Sequence, residues 1–260
     1  MRMTLRSTNP DHEVPDDLVL WRYLDFPKFL DLLASRAIKL PRASKMEDPF
    51  EGVMGSGATK AALRAAKGRG EKSYLRNAVA NREQHLSFFW RERTYVSCWN
   101  AFPSENAGLW RIYGDDKGVV VRSTWRSLRQ AFTGNADVVE DVFFGPVSYR
   151  EVADDSSFPL TFTDQFFVKR AEFVHEHEFR LVAHDVSRDH NYGERDTTGL
   201  PQFATLECDL DQLIEEVLIS PRLGGWVRDT VEDVSRKYGG AWPVRRSAIY
   251  QPPPNQILDF

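Results

Sequence analysis

The stretch EFVHEHEFRLV, residues 172–182, alternates charged and largely apolar side chains along its length. Alternate side chains of a strand share one face, so this pattern predicts a strand with a charged face inside an otherwise hydrophobic sheet. The predicted charged face carries Glu172, Glu176, Glu178 and Arg180, and the opposite face carries Phe173, His175, His177, Phe179 and Leu181. Such a charged face can orient a ribose hydroxyl or stabilise a developing cation. A salt-bridged edge strand that faces solvent is the alternative.

Strands and helices alternate irregularly along the rest of the chain. LVLWRYL (18–24), TYVSCW (94–99) and GVVVRST (118–124) are typical of strands. Asp25 is predicted to cap a helix that runs to about residue 36, and Ser104 to cap a helix over 103–114. Residues 161–174 are expected to be mostly helical, and residues 225–240 to form the last long helix. Because regular β-α-β units are missing, the predicted fold class is α+β.

The composition is that of a single folded domain with short extensions. The chain has 260 residues, 42% hydrophobic and 12% aromatic, which excludes a low-complexity protein. We expect a loose polar segment over residues 1–17, one α+β domain over 18–250 and a Pro-rich tail over 251–260. No apolar run approaches the roughly 18 residues of a membrane span, so a cytoplasmic protein without a membrane partner is expected. The two cysteines exclude a disulfide scaffold and an all-cysteine zinc site.

The net charge of −4 is unevenly distributed along the chain, because residues 55–95 form a basic segment. That segment carries +6, and the remainder of the chain carries −10. Such asymmetry is compatible with binding to nucleic acid or another phosphate-rich partner, and a solvated helical face is the alternative. The candidate nucleic-acid contacts are Lys60, Arg64, Lys67, Arg69 and Lys72.

Several common catalytic and cofactor motifs are missing from the sequence. It contains no H-E-x-x-H, no G-x-S-x-G, no G-x-G-x-x-G and no G-x-x-x-x-G-K-[ST]. His175 and His177 have a spacing that suits two metal ligands on a strand, but a third ligand is not evident nearby, so no metal is predicted. The acidic turn KMEDPFEG (45–52) is either a ligand or divalent-ion site or a rigid structural loop.

Seven segments occur in an order that resembles a bacterial domain-of-unknown-function family, number 2971. They are LWRY, MEDPFEG, SCW, SENAGLWRIYG, GVVV, KRAEFVHEHEFRLV and VLISP, and together they extend over about residues 18–250. The order of D-P-F-E, S-C-W and E-x-E-F-R is the most specific part of the resemblance. This resemblance by itself implies no activity.

A second resemblance, to ADP-ribosyltransferases, does imply one. The order of Arg22 on a first strand, Ser97 on a middle strand and an E-x-E pair on a later strand is similar to the arginine–serine–glutamate pattern of those enzymes. The resemblance implies a split sheet that binds NAD+ as a substrate without a glycine-rich loop. It also implies that Glu178 stabilises an oxocarbenium-like transition state and that Glu176 orients the acceptor. The implied cofactor-binding residues are Arg22, Tyr23, Ser97 and Arg180.

Two features depart from the ADP-ribosyltransferase pattern. The middle motif is Ser97-Cys98-Trp99 where those enzymes usually have an S-T-S type of motif. Arg180 is an addition to the glutamate face and is able to neutralise one of the two carboxylates.

Three functions follow from these observations. The first is an ADP-ribosyltransferase that acts as a toxin or antiphage effector on nucleic acid or protein, with an antitoxin or defence-system partner; an NAD+ glycohydrolase is its near variant. The second is a non-catalytic module that senses nucleic acid or a phage ligand. The third is a metal-dependent nuclease built on Asp48, Glu51, Glu176 and Glu178.

Overall fold

The structure, a computed structural model, describes most of the chain with several gaps. The described residues are 3–8, 13–52, 67–69, 88–114, 118–136, 139, 141–151, 163–185 and 199–251. Their strands are β1 (Thr4–Ser7), β2 (Val19–Leu24), β3 (Ala37–Pro41), β4 (Thr94–Ala101), β5 (Val119–Thr124), β6 (Phe132–Ala136), β7 (Asp141–Pro146), β8 (Ser148–Arg150), β9 (Val168–Arg170), β10 (Glu178–His184), β11 (Phe203–Cys208), β12 (Glu216–Ile219) and β13 (Val244–Arg246).

Helices accompany these strands, and most of them are short. The α-helices with defined bounds are α1 (Phe26–Ser35), α2 (Ala107–Ile112), α3 (Trp125–Ala131), α4 (Leu210–Leu213) and α5 (Gly225–Lys237). The 3-10 helices are Ala43–Lys45, Asp164–Phe167 and Ala171–Glu176. No helix among the residues described above combines the length and the apolar character needed to cross a membrane.

Contacts divide the chain into two compact units. The first comprises Met1–Val14, Ile38–Cys98 and Gly134–Glu207. Its main sheet has the order β1-β7-β10-β4, with β1 parallel to β7 and β10 antiparallel to β7. Strands β8 and β9 form a separate parallel pair. A core of Ala43, Val96, Phe166, Phe167 and Val182 packs in this unit.

The second unit comprises Pro15–Ala37, Trp99–Thr133 and Cys208–Phe260. Here β5 pairs antiparallel with both β2 and β12, and β13 joins β12 in parallel. Trp21, Trp110, Val120 and Leu218 form its core. Helices accompany strands paired in both directions, which confirms the predicted α+β class with a mixed sheet. A single domain over residues 18–250 stays a prediction.

Local sequence patterns predicted several elements of the second unit. Strand β2 and helix α1 lie where they were expected, and the Asp25 carboxylate accepts a hydrogen bond from the Lys28 amide at 2.8 Å. The predicted Ser104 cap is wrong. Asn106 caps α2 instead, because its side-chain oxygen reaches the Gly108 and Leu109 amides at 2.8 and 3.2 Å.

Three predictions in the first unit need correction. The helix predicted over residues 161–174 is not continuous in the described part, because β9 pairs with β8 and separates the 3-10 helices Asp164–Phe167 and Ala171–Glu176. The strand predicted over 172–182 begins only at Glu178, since Ala171–Glu176 is a 3-10 helix that ends at His177 with φ 42°. The N-terminal segment is not wholly loose, because β1 pairs with β7. Of the Pro-rich tail, residues 252–260 lie outside the described residues.

Candidate active site around Glu176 and Glu178

The two glutamates of the E-x-E pair lie on either side of a sharp change in backbone direction. Glu176 is the last residue of a 3-10 helix, and Glu178 is the first residue of β10. His177 between them adopts the left-handed conformation, which turns the backbone away from a straight strand. Both glutamates are buried, at 3% and 5% exposure. A buried carboxylate needs a charged or hydrogen-bonding partner, so the neighbouring groups determine the protonation states of these two glutamates.

Lys169 lies between the carboxylates of three glutamates. It belongs to β9, and its Nζ donates to Glu176 Oε2 at 2.5 Å and to Glu178 Oε1 at 2.7 Å. The same Nζ lies 3.1 Å from Glu51 Oε1. The Phe173 ring covers this ammonium group, with 4.6 Å between Nζ and the ring centroid.

Arg180 supplies the second positive charge of the cluster and is fully buried. Its Nε donates to Glu178 Oε2 at 2.5 Å, and its Nη2 donates to Glu51 Oε2 at 2.6 Å. Its Nη1 donates to the Phe166 carbonyl oxygen at 2.7 Å. Glu51 comes from the acidic turn at residues 45–52, so this turn supplies one carboxylate to both cations of the cluster.

The cluster holds three carboxylates and two cations. With this imbalance, the pKa values of Glu176 and Glu178 shift in opposite directions. Burial favours the neutral form of Glu178, but the Arg180 guanidinium and Lys169 outweigh burial and hold the pKa of Glu178 well below its usual range. Burial and the hydrogen bond with Glu178 raise the pKa of Glu176 to about 7, although Lys169 opposes the rise. At neutral pH the pair therefore combines a fixed anion with a group that is ready to exchange a proton.

Tyr149 and Cys98 complete the surroundings of the pair. The Tyr149 hydroxyl accepts a hydrogen bond from the Glu178 amide at 2.8 Å, and burial raises the pKa of Tyr149 to about 12. Burial, reinforced by the charge of Glu178, raises the pKa of the Cys98 thiol well above its ordinary value. Cys98 is consequently a thiol rather than a thiolate nucleophile at neutral pH.

A stack of aromatic rings and a guanidinium group lies beside the cluster. Arg170 follows Lys169 on β9, and its Cζ lies 4.9 Å from the Phe50 ring centroid and 5.0 Å from that of Phe173. Asp48 fixes this guanidinium through hydrogen bonds of 3.1 and 3.2 Å. Phe50 is 55% exposed, so a planar group from solvent is able to reach its ring.

The four acids of the nuclease hypothesis all have cationic partners. Asp48 pairs with Arg170, while Glu51, Glu176 and Glu178 pair with Lys169 or Arg180. Within the described ranges, no group of three or more His, Cys, Asp or Glu side chains is arranged to hold a metal ion. His175 and His177 are exposed to solvent.

The structure places the predicted cofactor-binding residues in different surroundings. Arg180 belongs to the buried cluster, whereas Arg22 and Tyr23 lie on β2 in the second unit. The Arg22 guanidinium lies over the Trp99 ring at 5.4 Å, and the Tyr23 hydroxyl accepts from the Asn106 amide at 3.0 Å. Burial raises the pKa of Tyr23 to about 12, which keeps this phenol neutral. The roles of these residues toward a cofactor stay predictions.

Ser97 and Cys98 are neighbours on β4, so their side chains project from opposite faces. The charges of Glu178 and Arg180 both act on the Cys98 thiol, with Glu178 raising its pKa and Arg180 lowering it. Ser97 Oγ is buried and has no hydrogen-bond partner among the residues that the structure describes.

The predicted nucleic-acid contacts lie only partly in the described ranges. Lys67 and Arg69 are exposed, and Lys60, Arg64 and Lys72 lie outside the described residues. Whether this segment binds nucleic acid stays a prediction.

Sequence patterns missed Lys169, and they grouped Glu51 with Glu176 and Glu178 only as acids of the nuclease hypothesis. Lys169 lies inside the helix predicted over 161–174, and the apolar run at residues 166–168 directly before it is the one sequence signal for its burial. Glu51 was noticed as part of an acidic turn, but its partners are more than a hundred residues distant in sequence. No spacing rule connects such positions.

A buried histidine near the cluster gives a stability prediction. His184 is hydrogen-bonded to Thr94 Oγ1 at 2.8 Å and to Thr163 Oγ1 at 3.1 Å, and burial lowers its pKa to about 4. Below pH 6.5, His184 binds a proton in the unfolded chain but not in the folded chain. The free energy of unfolding therefore falls as the pH falls toward 4. The expected loss from this group is roughly 3 kcal/mol.

Urea denaturation at several pH values checks the His184 prediction against His184→Gln, whose amide is able to bridge the same hydroxyl groups. The stability of wild type should fall more steeply between pH 6.5 and 4 than that of the variant. Equal slopes in the two proteins would contradict it. Glu176 contributes with the opposite sign in this window, and comparing the two proteins removes its contribution.

Comparisons with known proteins return similar structures and no similar sequences. No family model matches the chain, and no curated protein matches it, so the resemblance to family number 2971 stays a prediction. The chain is similar to Thermus sp. 2.9 DarT in complex with NAD+, with 8% identity over 90% of this chain and 98% of that chain, at a TM-score of 0.40. It is also similar to Thermus sp. 2.9 DarT in complex with ADP-ribosylated ssDNA, with 10% identity over 90% of this chain and 96% of that chain, at a TM-score of 0.35. At these identities and TM-scores, the similarity assigns neither a family nor an activity to this chain.

Proposed function

We propose that this chain is an NAD+-dependent ADP-ribosyltransferase in which Glu176 and Glu178 are the catalytic residues. The observation that carries the proposal is the buried pair itself. One glutamate is held ionised by Arg180 and Lys169, and the other has a pKa of about 7. Pairs of carboxyl groups with pKa values pushed apart are typical of sites that stabilise positive charge and transfer protons.

The proposed reaction uses the negative charge of Glu178 and the ability of Glu176 to accept a proton. The bond between nicotinamide and C1′ of its ribose breaks, and nicotinamide leaves with the bonding electrons. The Glu178 anion stabilises the oxocarbenium-like transition state and accepts a hydrogen bond from the ribose 2′-hydroxyl. An acceptor nucleophile forms the new bond to C1′, and its proton passes to Glu176. Arg22, Tyr23, Ser97 and Arg180 remain the proposed NAD+-binding residues.

The proposed acceptor is a nucleic acid or a protein inside the cell. Phe50 and Arg170 support a nucleic acid, because an exposed ring stacked on a guanidinium group is a surface on which unpaired bases stack. Basic residues of the 55–95 segment would then contact phosphates. Action as a toxin or antiphage effector in the cytoplasm, with an antitoxin or defence-system partner, belongs to the same proposal.

Mass spectrometry tests the proposed reaction directly. The purified chain is incubated with NAD+ and with separate pools of RNA, DNA and protein, and each pool is searched for added ADP-ribose. Adducts in one pool are expected. Free ADP-ribose without any adduct would replace the transferase with an NAD+ glycohydrolase, and intact NAD+ in every pool would overturn both.

The pH dependence of the reaction should follow Glu176. Because the proposed proton acceptor must be ionised, kcat/KM is expected to rise with pH and to level off above about 7, where Glu176 loses its proton. Glu176→Gln should lower the activity and remove this ascending limb. A flat profile between pH 5 and 8 for wild type would exclude Glu176 as the base.

A non-catalytic recognition module is the second candidate function. It is favoured by the internal contacts of Glu178, whose two carboxylate oxygens accept hydrogen bonds from Lys169 and Arg180. A purely structural cluster would have the same contacts. Such a module should bind nucleic acid with an affinity that falls as salt rises, and Glu178→Gln should leave this binding unchanged in a folded chain.

A further inference from the structure

We infer that Lys169 is a positioning residue that fixes both glutamates of the pair and sets the proton occupancy of Glu176. The inference rests on the proposed function for its effect on catalysis, whereas its effect on the proton is independent of any activity. Three observations support it: the contacts of the ammonium group, the anchoring of its strand and the charge balance of the cluster.

The contacts of Lys169 match the capacity of an ammonium group. Lysine has three N–H donors, and Nζ lies 2.5, 2.7 and 3.1 Å from oxygens of Glu176, Glu178 and Glu51. Contacts of this length with three carboxylates leave the ammonium group little freedom to rotate or withdraw. The two catalytic carboxylates are therefore held on a common cation, on either side of the turn at His177.

The strand that carries Lys169 is tied to the same site. In the parallel pair of β8 and β9, Tyr149 is the register partner of Lys169, and the Tyr149 hydroxyl accepts from the Glu178 amide at 2.8 Å. Lys169 is 7% exposed, and Phe173 covers its ammonium group. The lysine thus reaches the glutamates from a fixed backbone rather than from a loop.

The charge balance explains why a cation is needed at this point. Arg180 pairs with Glu51 and Glu178, and Lys169 pairs with both of these and with Glu176 as well. Without Lys169, three buried carboxylates would share one guanidinium group. Glu176 would then retain its proton to higher pH, because an opposite charge within about 4–6 Å lowers a carboxyl pKa by roughly 1–3 units.

Several other titratable and charged groups lie near Glu176. They come from every element packed around the cluster and comprise Glu51, Cys98, Tyr149, Glu178 and Arg180, with the Asp48–Arg170 pair alongside. The Tyr149 phenol has a pKa of about 12 and the pKa of the Cys98 thiol is raised, so both are neutral across the range from pH 5 to 8. His175 and His177 also flank Glu176, so midpoints are compared only between variants that retain both histidines.

The experiment follows the carboxyl carbons of the glutamates by NMR in the full chain labelled with [13C]glutamate. Glu176→Gln identifies the signal that titrates near pH 7. In Lys169→Met, the midpoint of this signal should move upward by about one unit or more. Lys169→Arg keeps the charge and should return the midpoint close to the wild-type value. An unchanged midpoint in Lys169→Met would overturn the inference.

A second variant keeps the test decisive if Lys169→Met does not fold. Glu51→Gln added to Lys169→Met leaves two carboxylates with the Arg180 guanidinium, which restores the charge of −1 that the wild-type cluster has when all its groups are ionised. The double variant should fold, yet the Glu176 midpoint should remain above that of Glu51→Gln alone. Equal midpoints in these two proteins would show that Lys169 does not set the proton occupancy of Glu176, which contradicts the inference.

The catalytic readout separates this inference from the proposed function. At pH 7, Lys169→Met should lower kcat about tenfold with KM for NAD+ little changed, and raising the pH should recover part of the loss. If wild type does not consume NAD+ but the midpoint still moves in Lys169→Met, the proposed function fails and the inference stands. If wild type is active and neither the midpoint nor the pH profile moves, the inference fails alone.

Discussion

Glu178→Gln should reduce nicotinamide release from NAD+ by about 10²–10³-fold, the usual effect of removing one preorganised electrostatic contact in a transition state. Glutamine has nearly the same shape, but it lacks the negative charge that the proposed oxocarbenium-like state requires. Glu176 is then free to ionise beside Lys169, so the two cations still face two carboxylates. The variant is therefore expected to fold.

Glu172→Gln is the matched control for this variant. Glu172 lies on the same 3-10 helix as Glu176 but is exposed to solvent, and the same chemical change there should leave the rate unchanged. Circular dichroism confirms the fold of both proteins, and nicotinamide release is measured by chromatography. Equal rates for wild type and Glu178→Gln would remove Glu178 from the mechanism and favour the recognition module.

Arg180→Met should destabilise the protein by about 3–5 kcal/mol, the usual cost of removing one partner of a buried ion pair. Arg180 is fully buried, and its loss leaves Glu51 and Glu178 to compete for Lys169. The Phe166 carbonyl oxygen also loses its donor. Urea denaturation at pH 7 measures the change in the free energy of unfolding.

Arg6→Met provides the control for Arg180→Met. Arg6 also forms an ion pair in the first unit, with Asp141 on β7, but its side chain is 56% exposed. Exposed ion pairs contribute roughly 0–1 kcal/mol, so this variant should have nearly wild-type stability. If both variants lost the same small amount, the buried cluster would not be a determinant of stability.

Sequence patterns predicted the parts of the fold that depend on near neighbours. Asp25 capping of α1 follows from a polar residue directly before a helix with an apolar face, and both features lie within one turn. The apolar run of β2 likewise defines a strand without knowledge of its partners. The helix predicted over residues 161–174 is interrupted by β9, because β9 depends on its pairing with β8, about twenty residues earlier in the chain.

In the candidate site, too, sequence patterns predicted contacts between near neighbours and missed contacts between distant segments. Glu178 and Arg180 are two residues apart on β10, so strand alternation placed them on one face, and the structure brings them to 2.5 Å. Glu176 joins them through a left-handed turn at His177 that strand alternation does not contain. Lys169 and Glu51 were missed as partners, because their contacts form only when separate segments of the chain pack together.

The consumption of NAD+ by the purified wild-type chain tests the central claim most directly. Nicotinamide release is followed over time at pH 7.5, with pooled nucleic acid and protein present and with Glu178→Gln in parallel. We predict release by wild type that is matched by ADP-ribose attached to one polymer, and little or no release by the variant. Intact NAD+ after prolonged incubation with wild type and every pool would contradict the proposed function.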